Sequence, residues 1–541
     1  MKVLDYVRDA SGIHAGIPEG KSLIDAGCRF CGACIEVCPT GSIVDAVGLM
    51  EKYPSYADNV VPCSAECPAH IDIPAYIRAI REGRPGDAVA IIREKVPFPL
   101  VLGHICNHLC ETGCKRGNIN DPMGIRNLKR YAVEHDEEQA WKAKGFMKER
   151  TGKRVAVVGS GPCGLTAAYY LNKLGHDVTV LEKRPQLGGP MTSGIPAYRL
   201  PLEDVMEEIQ YILDSGVKAE VNCTVTDVAA LKKDYDAVLV AVGVSKGKKL
   251  PLPGADFKQV YSALEILQAQ RLNQPIELGD TVCVIGAGSV GYDVARSLVR
   301  KGMTVNLACL EQADKILADM DDQTEGAEEG INLLPGRSFE AIEGTPDKVT
   351  GLRIHTVLSS TYDRATGKVT EVVEEGSQTV VPCDSVVFAT GQHTGLQEFD
   401  NFGIELNDRG FPVLDGFNTS MEGVFAAGDA ITGISFVIKA IQQGRLVTAA
   451  IDRYLGGDGE IAETLCERSA DPHIGRIEGF GKLERVEQTL RAADERVKDE
   501  LDVYHTYSCD QAKCEAERCL QCDLRLQFTP VKLWSEYGGA N

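Results

Sequence analysis

Cysteines crowd both ends of this chain, and two glycine-rich fingerprints lie between them. Nine of the 19 cysteines fall within the first 114 residues and four within the last 33. Thiolates at CxxC spacings are ligands for zinc or for iron–sulfur clusters, whereas G-x-G-x-x-G between a strand and a helix binds the pyrophosphate of a dinucleotide. Cluster ligands placed around two nucleotide sites indicate a protein that carries electrons.

The first cysteine run has the spacing C-x2-C-x2-C-x3-C-P. It comprises Cys28, Cys31, Cys34 and Cys38, followed by Pro39. This is the ferredoxin-like spacing for a [4Fe-4S] cluster, in which a tight loop directs three thiolates at one cluster and the fourth cysteine serves another. We therefore predict an iron–sulfur site here, with zinc as the alternative because thiolates also suit that ion.

Further candidate ligands lie in two separate groups. The segments CSAECP and CNHLCETGC contain Cys63, Cys67, Cys106, Cys110 and Cys114. The tail, which includes the segment EAERCLQC, contains Cys509, Cys514, Cys519 and Cys522. In a reducing compartment such spacings favour metal ligation or redox chemistry over disulfides.

The first glycine fingerprint, RVAVVGSGPCGL, is followed by an acidic residue. Gly159, Gly161 and Gly164 permit a tight turn and a close approach of the pyrophosphate to a helix N-terminus. Glu182 can accept from a ribose hydroxyl. Asp429 ends the later strand GVFAAGD, where flavoproteins with two dinucleotide folds bind the ribityl chain, and this resemblance implies FAD. A simple turn residue is the alternative for Asp429.

The second fingerprint, TVCVIGAGSVGYDVARSLV, predicts a nicotinamide site. It places Gly286, Gly288 and Gly291 on a second βαβ unit, followed by Glu311. A carboxylate accepts from the 2′-hydroxyl of NAD(H) and repels the 2′-phosphate of NADP(H). NAD(H) is therefore favoured, while NADP(H) stays open because Lys315 or a partner subunit can reverse the preference.

The elements that must position these residues follow from the apolar pattern. Apolar residues recur at helical spacing over residues 73–98, and strand, glycine turn and helix alternate from Arg154 and again from Thr281. Residues 350–382 alternate as β-strands. An apolar stripe predicts an amphipathic helix near the C-terminus, formed by Val486, Leu490, Ala493, Val497 and Leu501.

The predicted fold class is α/β, with two Rossmann-like dinucleotide-binding domains, an N-terminal α-helical iron–sulfur domain and a ferredoxin-like motif. The predicted domains are a ferredoxin-like segment at 1–50, a helical iron–sulfur domain at 51–150, a discontinuous FAD-binding domain at 151–275 and 385–460, an NAD(P)-binding domain at 276–384, and a C-terminal helix and tail at 461–541.

These motifs together resemble the glutamate synthase small subunit family over about residues 55 to 460, and the second cysteine group also resembles the cluster domain of dihydropyrimidine dehydrogenase. The resemblance implies two four-iron clusters in the helical domain and FAD at the first fingerprint. It also implies that the cofactor lies against the segment GIPAYRLP and its neighbours, with contacts from Gly188, Gly189, Arg199 and Gly428 in addition to Asp429.

The chain departs from this family in two places. The CxxC expected before Cys63 is absent, yet EAERCLQC has the same signature, so the resemblance implies that the tail folds back. On this hypothesis one cluster is shared by Cys63, Cys114, Cys519 and Cys522.

The second departure is Lys129, which stands where the family has a Glu or Gln ligand and whose ammonium cannot coordinate iron. Cys67, Cys106 and Cys110 then lack a fourth partner. Cys38 is the spare ligand, and Cys509 or Cys514 can complete the ferredoxin-type site, giving three clusters. The alternative is that Cys509 and Cys514 are ordinary thiols, which leaves two to three clusters in all.

Charge and hydropathy exclude several functions. A net charge of −21 disfavours nucleic acid and anionic membranes as partners. No apolar run approaches the ~20 residues that span a bilayer, and the first residues lack the pattern of a secretory signal. The expected location is the cytoplasm.

These inferences predict a flavoprotein iron–sulfur oxidoreductase subunit that passes hydride between NAD(P)(H) and FAD and single electrons to [4Fe-4S] clusters, with no catalytic side chain because the flavin does the chemistry. The extra cysteines and acidic composition resemble the large subunit of NADH-dependent ferredoxin:NADP oxidoreductase and related electron-bifurcating transhydrogenases. This implies partners such as an FMN- and NADH-binding subunit, a small iron–sulfur subunit and ferredoxin. The alternatives are a glutamate synthase small subunit that feeds an amidotransferase, and a redox scaffold or sensor.

Overall fold

The computed structural model describes residues 3–10, 12–17, 20–30, 32–44, 52–362, 369–399, 402–468, 470–472 and 474–527. The strands are β1 Asp5–Asp9, β2 Gly12–Gly16, β3 Arg154–Val158, β4 Asp177–Leu181, β5 Lys218–Glu220, β6 Ala237–Val240, β7 Lys246–Gly247, β8 Val260–Ser262, β9 Thr281–Ile285, β10 Thr304–Ala308, β11 Asn332–Leu334, β12 Arg337–Thr345, β13 Lys348–Tyr362, β14 Val369–Val373, β15 Thr379–Pro382, β16 Ser385–Phe388, β17 Gln392–His393 and β18 Val424–Ala426. The α-helices are α1 Ala33–Glu36, α2 Tyr56–Val60, α3 Pro62–Glu66, α4 Ile73–Arg81, α5 Pro85–Arg93, α6 Pro99–Ile105, α7 Leu109–Thr112, α8 Ile125–Glu134, α9 Pro162–Lys173, α10 Pro190–Ser193, α11 Leu202–Asp214, α12 Val228–Leu231, α13 Ala263–Arg271, α14 Ser289–Val299, α15 Met320–Glu328, α16 Asp429–Thr432, α17 Val437–Tyr454, α18 Ala493–Arg496 and α19 Cys509–Glu517.

Short helices form the segment from α2 to α8. Proline stands in the first turn of α3, α4, α5 and α6, where its missing N–H costs no helical hydrogen bond. Asp72 caps α4 by accepting from the N–H of Ala75 at 3.3 Å. The apolar faces of these helices meet in a core in which Ile92 and Leu128 are fully buried.

A buried carboxylate docks this helical segment on the first nucleotide domain. Glu208, on α11, accepts from the N–H groups of Leu100 at 3.0 Å and Val101 at 3.1 Å, in the first turn of α6. It also accepts from Arg93 at 3.2 Å. A carboxylate here interacts favourably with the positive end of the helix dipole. Burial raises the pKa of Glu208 to about 7, although Arg93 and the two N–H groups oppose that shift.

Two five-stranded parallel sheets follow. The first has the order β18-β6-β3-β4-β5, so the chain returns to it after a long excursion, as the sequence predicted. The second has the order β11-β10-β9-β16-β8. An antiparallel layer of β12 to β15 covers the second sheet and buries Ile342, Leu352 and Ile354 against it.

The second sheet extends beyond the predicted range of 276–384. β8 pairs with β16, and β16 pairs with β9, so residues 260–262 and 385–388 belong to this sheet and not to the first. Apolar sequence alone does not separate them, because buried parallel strands in both sheets read as the same short apolar runs.

The tail returns to the helical domain, where two fully buried arginines hold it. Arg116 donates to the carbonyls of Phe480 at 3.0 Å and Leu483 at 2.9 Å. Arg518 donates to the carbonyl of Asp121 at 2.6 Å and pairs with Glu515 at 2.7 Å. We call these four interactions the arginine anchor. It satisfies backbone carbonyls in the interior, where unpaired ones are costly.

The predicted C-terminal amphipathic helix over residues 486–501 is wrong. Only α18 is helical there, and Leu501 is 65% exposed. The flanking residues run as an extended pair instead, with the N–H of Arg491 donating to Val503 and the N–H of His505 donating to Thr489, both at 2.9 Å. Tertiary pairing therefore overrides the apolar period of the sequence. The helix that carries C-terminal cysteines is α19, which contains Cys509 and Cys514 and is followed by Cys519 and Cys522. Its N-terminal capping box joins Ser508 and Gln511.

This extended arm also contacts the second nucleotide domain. Arg496 is 1% exposed and donates to Glu329 at 2.8 Å and to Glu328 at 2.7 Å. Glu329 in turn binds Arg296 on α14 and Arg300, which directly follows that helix. Among the described residues, no helix has the length and apolarity needed to cross a membrane.

A buried histidine joins α6, α11 and the tail. The ring nitrogens of His104 lie 3.0 Å from Asp204 and 3.1 Å from Asp502, and Asp502 also binds Arg130 at 2.9 Å. Burial lowers the pKa of His104, but the two carboxylates raise it by more, against the charge of Arg130, so the net shift is upward. The imidazolium form therefore strengthens this junction.

Replacing His104 with Gln tests the junction. Because the folded-state pKa is raised, the contribution of His104 is fully present below the unfolded pKa of about 6.5 and is lost as pH rises through the folded value. We expect the variant to lose about 2 kcal/mol of stability near pH 6, as for a hydrogen bond to a charged group, and little at alkaline pH. Apparent melting temperatures across this range measure the effect. His135→Gln serves as the control, and a deficit that does not change with pH contradicts the assignment.

Candidate cofactor sites

One long cavity joins the two nucleotide domains. Its lining includes Gly159 and Gly161 from the loop between β3 and α9, and Asp429 and Val437 from α16 and α17. Residues of the second domain, such as Val290 on α14, complete the wall. We call this space the nucleotide cavity. It brings together the first fingerprint and Asp429, which lie far apart in the sequence.

The first fingerprint has the close packing that its glycines predict. Gly159 has φ of 102°, and a Cβ there would lie 2.5 Å from the carbonyl oxygen of Ala241. A Cβ at Gly164 would lie 2.0 Å from the carbonyl oxygen of Gly159. At Gly161, by contrast, a Cβ would meet only Pro190, at 3.9 Å, so the space before the N-terminus of α9 is open. This open space and the helix N-terminus fit a pyrophosphate.

Glu182 organises the loop that it faces. Its carboxylate accepts from the hydroxyl of Ser160 at 2.6 Å and from the N–H of Ser160 at 3.0 Å. The hydroxyl of Ser160 also accepts from the N–H of Gly188, at 3.1 Å. Gly188 is thereby fixed behind the cavity wall, whereas Gly189 lines the cavity. Glu182 is 5% exposed and lines the cavity, where it can still meet a ribose hydroxyl.

Asp429 lies beside the N-terminus of α17. It accepts from the hydroxyl of Ser435 at 2.5 Å and from the N–H of Ser435 at 3.3 Å. Burial raises the pKa of Asp429, and the bonds from Ser435 oppose that rise. Gly428 packs against Cys163, whose thiol is buried with a raised pKa. Cys163 is thus a packed residue and not a reactive thiolate.

Two basic residues at this cavity were not predicted from the sequence. Lys183 and Arg184 follow Glu182 directly and line the cavity. Burial lowers the pKa of both groups. Lys183 donates to the hydroxyl of Ser245 at 2.8 Å. Their position directly after Glu182, the predicted ribose ligand, could have indicated this role, because cations there attract the negatively charged pyrophosphate of a dinucleotide.

Arg199 does not line the nucleotide cavity. It pairs with Asp293 at 2.6 Å and with Asp322 at 3.2 Å, and both carboxylates belong to the second nucleotide domain. Burial lowers its pKa and the two carboxylates raise it by more, so the net shift is upward. The structure therefore shows Arg199 as a bridge between the domains.

The second fingerprint repeats the geometry of the first. Gly286 has φ of 110°. A Cβ at Gly291 would lie 1.9 Å from the carbonyl oxygen of Gly286. A Cβ at Gly288 would meet nothing within 4 Å, which leaves space before α14. Glu311 follows β10, and its carbonyl accepts from the N–H of Gly336 at 2.8 Å. Arg337 follows Gly336, and its N–H donates to the carbonyl of Cys309 at 2.8 Å. Arg337 therefore lies at the same end of β10 as Glu311.

Two smaller cavities in the helical domain are lined by thiols. Cavity A is lined by Cys67, Cys106, Cys110, Lys129, Asn107, Tyr76 and apolar residues. Burial raises the pKa of Cys67 and of Cys110, while the neighbouring ammonium of Lys129 acts in the opposite direction on both.

Cavity B is lined by Cys63, Cys114, Cys519 and Cys522. Burial raises the pKa of Cys63, and so do the neighbouring thiols of Cys114, Cys522 and Cys519. The structure thus brings together the four cysteines that the resemblance grouped across the chain. Thiols that border a common space suit a group larger than one ion. No three His, Cys, Asp or Glu side chains in the described part of the chain are arranged to hold a single metal ion.

The ferredoxin-like run lies against the tail. Cys28, Cys34 and Cys38 are described, whereas Cys31 lies outside the described residues. A Cβ at Gly32 would come within 2.4 Å of the guanidinium of Arg525, so the two segments are in contact. Arg29 stacks on Phe480 at 4.2 Å. These contacts place the run beside the segment that carries Cys522.

Three predicted ligands stand apart from cavities A and B. Cys38 lies near the hydroxyl of Thr40, at 3.6 Å, and does not line cavity A. The Thr40 hydroxyl and nearby backbone N–H groups lower its pKa to about 7. Cys509 and Cys514 are exposed on α19, and Cys509 contacts the hydroxyl of Tyr131. Neither lines the two cavities.

Comparison with known proteins identifies the family. The model for pyridine nucleotide-disulphide oxidoreductases matches residues 153–444 and 123–233, and the model for dihydropyrimidine dehydrogenase domain II, 4Fe-4S cluster, matches residues 57–141. The chain belongs to the pyridine nucleotide-disulphide oxidoreductase family, and is an oxidoreductase with FAD/NAD(P)-binding and 4Fe-4S domains. The predicted family, fold class and enzyme class are confirmed.

Three relatives show the range of this family. The chain is 34% identical over 500 residues to the NADP(+)-dependent formate dehydrogenase subunit beta of Moorella thermoacetica, covering 85% of this chain and 70% of that one. It is 33% identical to a Salmonella typhi homologue of the NAD-dependent dihydropyrimidine dehydrogenase subunit PreT, covering 73% and 91%. It is 31% identical to the glutamate synthase [NADPH] small chain of Mycobacterium tuberculosis, covering 74% and 86%.

Replacing Cys519 with Ser tests the thiol set of cavity B. Because Cys519 lines cavity B together with the other three cysteines, we expect the anaerobically purified variant to lose one cluster, or about four irons and four sulfides per chain. Iron and acid-labile sulfide analysis measures the loss. Cys466→Ser is the matched control, since Cys466 is also buried but lines neither cavity. Full iron content with unchanged cluster EPR signals in the Cys519 variant would falsify the grouping, because a serine ligand in place of the thiolate would alter those signals.

Proposed function

We propose that this chain is the flavoprotein subunit of an electron-transfer complex, in which a nicotinamide at the second fingerprint exchanges hydride with FAD at the first. FAD, when bound, exchanges electron pairs with nicotinamide and single electrons with iron–sulfur clusters. Clusters at cavity A, cavity B and the ferredoxin-like run then form an ordered relay to a partner. The adjacency of these sites is the observation that carries the proposal.

Consecutive sites share residues or touch each other. Val437 lines the nucleotide cavity, and the next residue, Ile438, lines cavity A. Cavities A and B share Ile73 and Ile125 in their linings. These shared walls support the order nucleotide cavity, cavity A, cavity B.

The last step leads to the ferredoxin-like run. The short helical turn Cys522–Gln527 begins with a thiol of cavity B and contains Arg525, which contacts Gly32 in the run. Cys34 in that run is exposed, and so is most of the hairpin of β1 and β2. This exposure supports an exit for electrons at the N-terminal segment.

The chain's own residues bind and orient the cofactors and take no covalent part. The glycine loops let phosphates approach helix N-termini, and Glu182 holds the first loop through Ser160. Asp429 and the start of α17 contribute a polar edge to a mostly apolar cavity. Arg199 fixes the distance between the two nucleotide domains through Asp293. Apolar side chains pack around most of the thiols of cavities A and B.

The partners follow from the relatives by analogy. One relative is a subunit of a formate dehydrogenase and another of a glutamate synthase. We propose that ferredoxin, or an FMN- and NADH-binding subunit with a small iron–sulfur subunit, meets the exposed N-terminal segment. An amidotransferase partner would instead select the glutamate synthase function. The four thiols of cavity B border one space without forming a disulfide, which supports a reducing compartment such as the cytoplasm.

Electron bifurcation is a further part of this proposal and rests on resemblance. It requires that the two electrons of FAD leave by different routes, only one of which runs through cavities A and B. Ferredoxin reduction that occurs only when a second acceptor is present tests it.

Replacing Cys110 with Ala, which removes the donor atom, tests the relay. We expect NADH to bleach the flavin of the anaerobic variant as in the wild type, because the nucleotide cavity is intact. The clusters at cavity B and at the ferredoxin-like run should be reduced much more slowly than in the wild type, because in the proposed order electrons reach both sites through cavity A. Stopped-flow absorbance and freeze-quenched EPR follow the two events.

Dithionite reduction of the same sample shows whether the remaining clusters are present. Wild-type rates of cluster reduction in the Cys110 variant would exclude the proposed order. Absence of flavin bleaching in the wild type would instead favour the scaffold or sensor function.

Replacing Glu311 with Gln tests the choice of nucleotide. We propose NAD(H), because Glu311 follows β10 and a carboxylate repels a 2′-phosphate. The variant should narrow the preference for NADH over NADPH by about tenfold, which corresponds to about 1.4 kcal/mol. Flavin reduction rates with each nucleotide give the ratio. Arg337→Gln is the control, because it removes the positive charge near Glu311 and leaves the carboxylate in place. A wild-type preference for NADPH would refute the assignment of NAD(H).

A further inference from the structure

Cavity A is lined by three thiols, whereas a [4Fe-4S] cluster needs four protein ligands, one for each iron. The thiols belong to Cys67, Cys106 and Cys110, and the remaining polar side chains in its lining are those of Tyr76, Asn107 and Lys129. An ammonium has three donors and no acceptor, so Lys129 cannot coordinate iron. The hydroxyl of Tyr76 is already committed, since it donates to the carbonyl of Ile125 at 3.0 Å.

Asn107 supplies the remaining donor atom. Its side-chain oxygen, Oδ1, is buried and has no hydrogen-bond partner among the described residues. Buried amide oxygens are almost always paired, so an unpaired one that belongs to a residue lining a cavity indicates a partner there. An amide oxygen carries two lone pairs that can be donated to a metal ion. It is thus chemically able to complete the set.

The local backbone explains how adjacent residues both reach the cavity. Cys106 ends α6 with an extended backbone, at φ −64° and ψ 131°. His108 then adopts the left-handed region, with φ of 37°, before α7 begins. Asn107 lies in this sharp turn between Cys106 and Cys110, and all three line cavity A.

We propose that Oδ1 of Asn107 is the fourth protein ligand of a [4Fe-4S] cluster in cavity A. The inference rests on the proposed function, which requires a cluster at this place. Lys129 is then a positive charge beside the cluster and not a ligand. A neutral ligand and an adjacent cation both make the site less negative, and a less negative site has a higher reduction potential.

Three variants test the ligand in full-length, anaerobically purified protein. In Asn107→Ala we expect oxidation to remove about one iron per chain and to produce the EPR signal of a three-iron cluster, because one iron lacks its protein ligand. Asn107→Asp should retain all iron at a lower potential, since a carboxylate adds negative charge. Asn127→Ala is the control, because Asn127 is buried in the same domain and binds Tyr507 instead.

Four outcomes decide the inference. If Asn107→Ala loses the whole cluster, restoration in Asn107→Asp supports an oxygen ligand, and failure to restore it overturns the proposal. A four-iron cluster with unchanged potential in Asn107→Ala also overturns it. If Cys110→Ala, which leaves no donor atom at this position, retains wild-type iron content, cavity A holds no cluster, and the relay itself fails.

Discussion

The arginine anchor is the constraint on which the cluster sites depend. Arg116 and Arg518 are fully buried, and each donates to backbone carbonyls of a segment distant in sequence. Buried charges are stable only when they are paired and hydrogen-bonded, so these contacts define one position for the tail. That position brings Cys519 beside Cys114, across about four hundred residues of chain. Without it, cavity B has two of its four thiols.

The same packing relates the clusters to the nucleotide cavity. Helix α17 starts at the wall of the nucleotide cavity, and Ile438 in its first turn reaches cavity A. Cavity A is joined to cavity B by α4 and α8, through Ile73 and Ile125. Rigid helices and a dense apolar core thus set the spacing of sites that belong to separate parts of the sequence. Such fixed spacing suits the electron relay proposed above.

Motifs with fixed local geometry were predictable from the sequence. The glycines of both fingerprints are examples, because turn geometry leaves few alternatives. The grouping of Cys63 with the tail came from the resemblance of EAERCLQC to a family signature and not from local geometry. Features that depend on tertiary pairing were not predictable. The arm around Leu490 has a helical apolar period but pairs as extended chain. The unpartnered amide oxygen of Asn107 was also not predictable, since a single amide has no sequence signature until its burial is known.

The extended arm before α19 has two attachments. Arg496 binds Glu329 in the second nucleotide domain, and a short stretch later Cys519 and Cys522 border cavity B. The arm is thus a covalent link from this contact with the second nucleotide domain to two thiols of cavity B. A change in the position of that domain would be transmitted along this link toward cavity B.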